Sequence, residues 1–346
     1  MAPSDARCAN PIFIVGTERS GSNLLRVILD AHPRIDLPHP PHILKYFGEL
    51  EAGYGDVDDP ERLRALARDV LRLLRVHIYP WDTRIDLETV VSEADPSDLF
   101  GVFVAIYEQH RRATGKPRWG CKSTFMIHYA DRVLQTFPGA RFLWLVRDPR
   151  DVAVSSRKSV FSPYHPYLTA QLWAEQQRLG LALEAEHPEE TLRVRYEDLL
   201  ADPDGELKRV CAFLDEPWDE RLLTFFDTPN ARKSARLSSD WSNTAKPILK
   251  DNTRKYRKEL DDDEVWMVEA VARVEMEALD YDLEYPDPGG LSPGLRQRMG
   301  IRMLDEAWHM KVELRSLRED DNHWRRWGRG AAMALLKARS RLVPGR

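Results

Sequence analysis

The chain has 346 residues, of which 42% are hydrophobic and 31% charged, with a formal charge of −5. That length admits one large α/β domain or two small ones, with enough apolar residues for a substantial core. The mildly acidic balance offers no overall electrostatic case for a nucleic-acid partner, and no run of about 18 apolar residues marks a membrane span.

In chain order, the four-residue apolar run at 12–15 follows a polar start and precedes Gly16, which reads as a buried strand entering a turn rather than a signal peptide. Leu24, Leu25, Val27, Ile28 and Leu29 predict a helix over 24–31, stopped by His32 and Pro33. From 36 to about 118 the proline cluster Pro38, Pro40, Pro41 and helical segments at 60–78 and 97–113 suggest a helical excursion between core strands. RFLWLV at 141–146 is the second buried strand, ended by Asp148 and Pro149, with Asp151 placed to cap a helix from Val152. A third strand is expected at 191–196, then helices near 204–214, 218–226 and 262–279. The Pro/Gly-rich segment PDPGGLSPG (286–294) is the best boundary, separating a domain over 1–285 from a helical C-terminal extension over 291–346. Strands alternating with helices imply an α/β fold with a central parallel sheet flanked by helices.

Two segments carry chemistry. GTERSGSNLL (16–25) lies between a strand and a helix, where a glycine-flanked turn exposes consecutive backbone N–H groups to an anion. Arg19 adds charge and a fork of donors, while Ser20, Ser22 and Asn23 add short ones. A P-loop would place lysine where Ser22 stands, so a triphosphate–magnesium site is poorly supported. RDPRDVAVS (147–155) sets Arg147 at a strand end and Ser155 eight residues on, about a turn into the next helix, where both can face one phosphate.

Taken together, the segments resemble the two phosphate motifs of the sulfotransferases that use 3′-phosphoadenosine 5′-phosphosulfate. The first matches the family's (K/R)-S-G-(T/S)-(T/S)-(L/W)-L, with Asn23 departing from Thr/Ser, and the likeness runs on to the HP dipeptide at 32–33. RYEDL at 195–199 matches a strand end of the family, TAKPILKDNTRKYRKEL (244–260) its late nucleotide-covering loop, and WGCKST (119–124) its W-x-x-KTP segment. The likeness is strongest over 11–40 and 119–160, thinner over 190–280, and does not include the last 55 residues.

The resemblance implies a P-loop-like three-layer fold and in-line sulfuryl transfer from that donor to a hydroxyl or amine, without metal. It implies that Arg19, Ser20, Gly21, Ser22 and Asn23 hold the 5′-phosphate, with Arg19 also facing the sulfuryl group. Arg147 and Ser155 would hold the 3′-phosphate, Tyr196 would lie near the adenine, Lys246 would belong to the covering loop, and Lys122 would approach the bridging oxygen. The family's base follows the HP dipeptide, usually as Glu or His. In DLPHPPHILKYF (36–47) Pro40 stands at the glutamate's place, leaving His39 and His42, of which His42 is favoured.

Other readings stay open. A P-loop-like nucleotide or small-molecule kinase lacks the lysine and a Walker-B carboxylate, and a non-catalytic nucleotide-binding scaffold would account for the missing glutamate. His32 and His128 read as structural, and Val265, Trp266 and Val268 as core. Cys8, Cys121 and Cys211 form neither a disulfide framework nor a metal-ligand pattern, which points to a reducing cytoplasm. The acceptor could be carbohydrate, peptide, lipid or small metabolite. From Trp324 onward Arg325, Arg326, Arg329, Lys337, Arg339, Arg341 and Arg346 meet no acidic side chain. With Trp308, Trp324, Trp327 and the apolar stretch at 331–336, this tail reads as a helix that packs on its own domain, self-associates, or lies peripherally on an anionic membrane.

Overall fold

The apolar runs assemble into one sheet, seen in a computed structural model that describes residues 6–237, 239–287, 289–319 and 322–342. The chain begins with β1 (Ile12–Gly16), α1 (Ser22–Asp30), the short β2 (Ile35–Asp36) and α2 (Ile43–Phe47). Three helices follow, α3 (Pro60–Val76), α4 (Leu87–Glu93) and α5 (Leu99–Thr114), each opened by an aspartate side chain that accepts a first-turn N–H. Then come β3 (Arg118–Lys122), α6 (Ala130–Thr136), β4 (Arg141–Val146), α7 (Pro149–Ser156), α8 (Pro166–Glu186) and β5 (Thr191–Arg195). Helices α9 (Tyr196–Ala201), α10 (Pro203–Phe213), α11 (Pro229–Leu237), α12 (Tyr256–Glu259) and α13 (Asp262–Ala278) complete the domain, and α14 (Leu295–Glu319) and α15 (His323–Leu342) form the extension.

The five strands are parallel, in the order β2-β3-β1-β4-β5. Their alternation sorts the core into two layers. Phe13, Val15, Trp119, Cys121, Phe142, Trp144 and Val146 face one side, against residues of α5, α6, α8 and α13. Ile12, Ile14, Leu143, Leu145 and Val194 face the other, against α1, α9 and α10. Burial on both faces is what a parallel sheet with crossover helices requires. The register aligns Ile14 with Lys122 and with Leu143, and Val146 with Arg195, so the carboxyl ends of four strands stand side by side. Ligands bind at that edge in open α/β sheets.

The differences from the sequence reading have physical causes. Strands β2 and β3 lie in or at the edge of the expected helical excursion; one is two residues long and the other begins and ends on a basic residue. Helix α8 has no clean apolar stripe because Gln177 and Gly180 occupy its core face. Gln177 is buried for a reason: it accepts from the Trp144 indole at 2.9 Å and donates to Thr17 Oγ1 at 2.7 Å. The α7 cap is Asp148, not Asp151, with Pro149 in the first turn where its missing N–H costs nothing. The expected helix at 218–226 is two 3₁₀ turns, Glu220–Leu222 and Phe225–Asp227, and exposed His128 lies in another, Thr124–Tyr129.

The extension docks on its own domain. Asp305 accepts the Tyr164 and His165 N–H groups at 2.7 and 2.8 Å, Trp308 stacks on Tyr164 at 4.0 Å, and its indole donates to the Arg157 carbonyl at 3.1 Å. Further along, Arg329 lies over the Tyr46 ring and Arg339 pairs with Asp69 of α3. Arg346 and the residues from 343 onward lie outside the described residues, as does the side chain of Arg341. Among the described residues no helix is long and apolar enough to cross a membrane. The three cysteines are buried free thiols.

Candidate active site

At the carboxyl edge of the sheet lies a cleft of about 1150 Å³, lined in part by Arg19, Gly21, Ser22, Asn23, His39, His42, Lys122, Arg147, Ser155 and Tyr196. Its floor begins where β1 turns into α1. Gly16 leaves the strand at φ 129°, and a Cβ there would meet the Leu145 carbonyl oxygen of β4 at 2.2 Å. Arg19 takes a left-handed backbone at φ 69°, and Gly21 does so at φ 93°, directly over the Tyr196 ring. A non-glycine residue held at positive φ is strained unless its surroundings over-determine it. Here they do: Arg147 donates through Nη1 to the Arg19 carbonyl at 2.9 Å.

The loop presents donors that have no protein partner. Ser20 is fully buried behind the cleft wall with its hydroxyl unpartnered, and Asn23 Nδ2 is buried and unpartnered while its Oδ1 accepts from Arg26 at 2.8 Å. The Arg26 guanidinium, itself buried, also donates to the Leu37 carbonyl and Ser234 and so holds Asn23 in one orientation. Arg147 Nε is a third buried donor without a partner. Most buried polar groups in native proteins are satisfied, so three orphaned donors near one turn are groups that an anion would satisfy. That is the fit a phosphorylated nucleotide requires, and the residues present meet it.

The second motif completes the cradle. Arg147, at the end of β4, stacks on the Tyr196 ring at 4.4 Å and donates to the Asn252 carbonyl at 3.2 Å. Ser155, in the last turn of α7, accepts from Arg19 Nε at 3.1 Å. Asp151 is not a cap: its Oδ1 accepts the Tyr256 N–H, and its Oδ2 lies 3.9 Å from Arg147. Burial pushes the Asp151 carboxyl up, with Arg147 acting the other way. Tyr196 is the first residue of α9 rather than the last of a strand, and its hydroxyl accepts from Asn252 Nδ2 at 2.6 Å. Lys246 does not reach this group. It is exposed, lies outside the cleft lining, and its Nζ is 3.4 Å from Asn243 Oδ1. The late loop contributes Asn252 instead.

Across the cleft stand the candidate base and Lys122. His42 opens α2 in a left-handed conformation, φ 55°, and its Nδ1 pairs with Ser123 Oγ at 3.1 Å. Among the described residues no other partner holds the ring, which leaves Nε2 to the cleft that His42 lines. Burial lowers the His42 imidazole well below its ordinary value, and Lys122, His77, Lys45 and Arg329 push the same way. It is therefore neutral near pH 7. Burial and the neighbouring Arg26 bring the Lys122 ammonium, at the end of β3, down to about 8. His39 is more deeply buried, stacked on Tyr79 at 5.0 Å and packed against His77 and Trp241, with both ring nitrogens unpartnered. His32 is structural, its Nε2 paired with the Pro217 carbonyl at 2.8 Å.

Several residues at or behind the cleft were not singled out from the sequence as site residues. Ser123 stands where the family pattern has threonine and is the partner of His42. Trp308, Lys311, Arg315 and Arg329 reach the cleft from the extension. Among the described residues one side-chain group could chelate a metal, Asp131 with Glu186 and His187, and it lies outside the cleft.

Fold and site define a three-layer α/β protein in which a strand–turn–helix cradle and a strand-end arginine meet at the carboxyl edge of a parallel sheet. The family model described as the sulfotransferase family matches residues 11–220, more than half of the chain, and the protein belongs to that family. It is 24% identical over 289 residues to a protein-tyrosine sulfotransferase of Drosophila melanogaster, covering 80% of this chain and 52% of that one. It is 25% identical over 280 residues to protein-tyrosine sulfotransferase A of Caenorhabditis elegans, covering 78% and 67%. The chain thus spans about half the length of the Drosophila relative. Its fold is similar to the sulfotransferase domain of the Synechococcus PCC 7002 olefin synthase, with TM-score 0.54 and 24% identity over 82% of this chain and 98% of that one. A sulfotransferase domain of the curacin biosynthetic pathway matches equally, with TM-score 0.54 and 21% identity over 80% and 100%.

Proposed function

We propose that this protein transfers a sulfuryl group from 3′-phosphoadenosine 5′-phosphosulfate to a hydroxyl acceptor by in-line displacement. The observation that carries the reading is the joining of the two motifs through Arg19, Arg147 and Ser155, with unpartnered donors on Asn23 and Arg147 at the same cleft and on Ser20 behind its wall. The donor nucleotide would supply an activated sulfuryl group on a phosphate leaving group.

The chain's own residues divide the remaining work. Arg19, Gly21, Ser22 and Asn23 would bind the 5′-phosphate through backbone and side-chain donors, with Ser20 completing the turn. Arg147 and Ser155 would bind the 3′-phosphate, and Tyr196 would flank the adenine. Lys122, charged at neutral pH, would stabilise the negative charge that builds on the leaving oxygen. His42 would take the acceptor proton at Nε2, because a Nδ1–H donated to Ser123 Oγ leaves the lone pair on the cleft side. Ser22 in place of the P-loop lysine argues against magnesium-ATP as the nucleotide. The Drosophila and Caenorhabditis relatives are named protein-tyrosine sulfotransferases, so a phenolic hydroxyl is the first acceptor to offer.

The test is calorimetric titration with 3′-phosphoadenosine 5′-phosphate in the absence of magnesium. Micromolar binding that falls at least tenfold, about 1.4 kcal/mol, in Arg147→Ala and in Ser155→Ala supports the donor site. Indifference to this nucleotide together with binding of magnesium-ATP would replace the reading with a kinase.

A further inference from the structure

The inner side of the extension is anchored by Asp305, Trp308, Arg329 and Arg339, as described above, and its outer side is covered by nothing among the described residues. Of thirteen large hydrophobic side chains that are exposed, ten lie on α14 and α15. On α14, Leu295, Met299, Met303, Met310, Leu314 and Leu317 recur in steps of three, four and seven, which places them on one helical stripe. On α15, Trp324, Trp327 and Leu335 are 72, 67 and 73% exposed and share one side of the helix in the same way. A monomer that folds for itself rarely leaves so much contiguous apolar surface without a use.

Charge decides what covers it. Residues 294–346 hold thirteen Lys and Arg against six Asp and Glu, +7 in a chain whose formal charge is −5, so the preceding residues carry −12. The extension is a positive body on a negative one. A second copy packed through this face would set the same positive surface against itself. An anionic lipid surface fits better on two counts. Basic residues are drawn to the negative potential of such a surface, and tryptophan prefers the depth at which headgroups meet acyl chains. Arg296, Arg302 and Arg325 are exposed on these helices with no carboxylate partner among the described residues.

We propose that the outer face of α14 and α15 docks the protein on an anionic lipid surface, with Trp324, Trp327 and Leu335 entering the interface and the arginines meeting headgroup phosphates. Because Lys311, Arg315 and Arg329 of the same helices line the cleft, docking would bring the cleft close to the surface.

The full chain is floated with vesicles of phosphatidylcholine alone and of phosphatidylcholine mixed with phosphatidylglycerol. The expected result is recovery with the mixed vesicles only, weakening as salt is raised, and reduced at least tenfold by Trp324→Glu with Trp327→Glu at an unchanged thermal melt. Should that pair unfold the extension, Arg296→Glu with Arg325→Glu is the second variant, and it should lose binding equally. Failure to bind the mixed vesicles, equal binding to both kinds, or wild-type binding by a folded variant overturns the proposal. So does a dimer in light scattering that the same substitutions dissociate, since it would assign the face to a second copy.

Discussion

Arg147 donates through Nη1 to the main-chain carbonyl of Arg19 at 2.9 Å, and Arg19 Nε in turn reaches the Ser155 hydroxyl at 3.1 Å. The strand-end arginine of one motif therefore holds the backbone of the other in its left-handed conformation. The two phosphate segments are one hydrogen-bonded unit, and damage to either should be felt in both.

Gly21 tests this unit from below. A Cβ at Gly21 would meet the Tyr196 ring at 2.4 Å with the backbone at φ 93°. Gly21→Ala should lower stability by about 1–3 kcal/mol and abolish calorimetric binding of 3′-phosphoadenosine 5′-phosphate. Unchanged binding in a folded Gly21→Ala protein would mean that the turn does not form the cradle.

Lys122 should set the alkaline limb of the activity profile. Its pKa is about 8, so the ammonium that would stabilise the leaving oxygen is lost as pH rises through that value. Transfer from labelled donor should fall above pH 8 in the wild type and hold to higher pH in Lys122→Arg, whose guanidinium stays charged. His42 contributes no limb near pH 6.5, because its lowered pKa keeps it neutral well into the acid range. His42→Ala should lose turnover while retaining nucleotide affinity.

Acid should unfold the protein through its buried histidines. Burial lowers His39 and His42 well below 6.5 and His77 to about 3. The unfolded chain binds these protons first, so stability is fully present above pH 6.5 and is lost as pH falls toward the folded-state values. Each histidine costs up to about 1.4 kcal/mol per pH unit in that window. The melting temperature should drop between pH 6.5 and 4, and His77→Phe should flatten the slope.

A separate support sits behind the second motif. Arg150, buried in α7, pairs with Asp148 at 2.7 Å and with the fully buried Glu269 at 2.6 Å, and Glu269 also accepts the Glu284 and Tyr285 N–H groups. Removing one partner leaves a buried charge without compensation. Arg150→Ala should cost about 3–5 kcal/mol in chemical denaturation, far more than loss of the exposed Lys208–Asp204 pair, which is worth under about 1 kcal/mol.

Some of this was determined by sequence alone. The strand before Gly16, the glycine turn, the helix after it, and an arginine and serine eight residues apart across a strand–helix junction are local features. Spacing and residue type specify them because the interacting groups are neighbours along the chain. The buried strands β1 and β4 were legible for the same reason: a parallel strand covered on both faces is an unbroken apolar run. Helix α8 was not, because Gln177 interrupts its core face in order to bind Thr17 and Trp144, partners no local pattern reveals.

Tertiary structure alone decided how the cleft is closed. Arg19 meets Arg147 and Ser155 across more than a hundred residues, and His42 meets Ser123 across eighty-one. Sequence favoured His42 over His39, but a position in a proline-rich loop names no contact that separates the two. The fold separates them by stacking one between aromatic rings and tethering the other by Nδ1 at the cleft. The late loop meets Arg147 and Tyr196 through Asn252, whose carbonyl accepts from Arg147 and whose Nδ2 donates to the Tyr196 hydroxyl, while Lys246 is exposed. The extension's inward residues reach the cleft for a similar reason, since Asp305 and Trp308 find partners at 157–165 only once the sheet has brought that loop to its carboxyl edge.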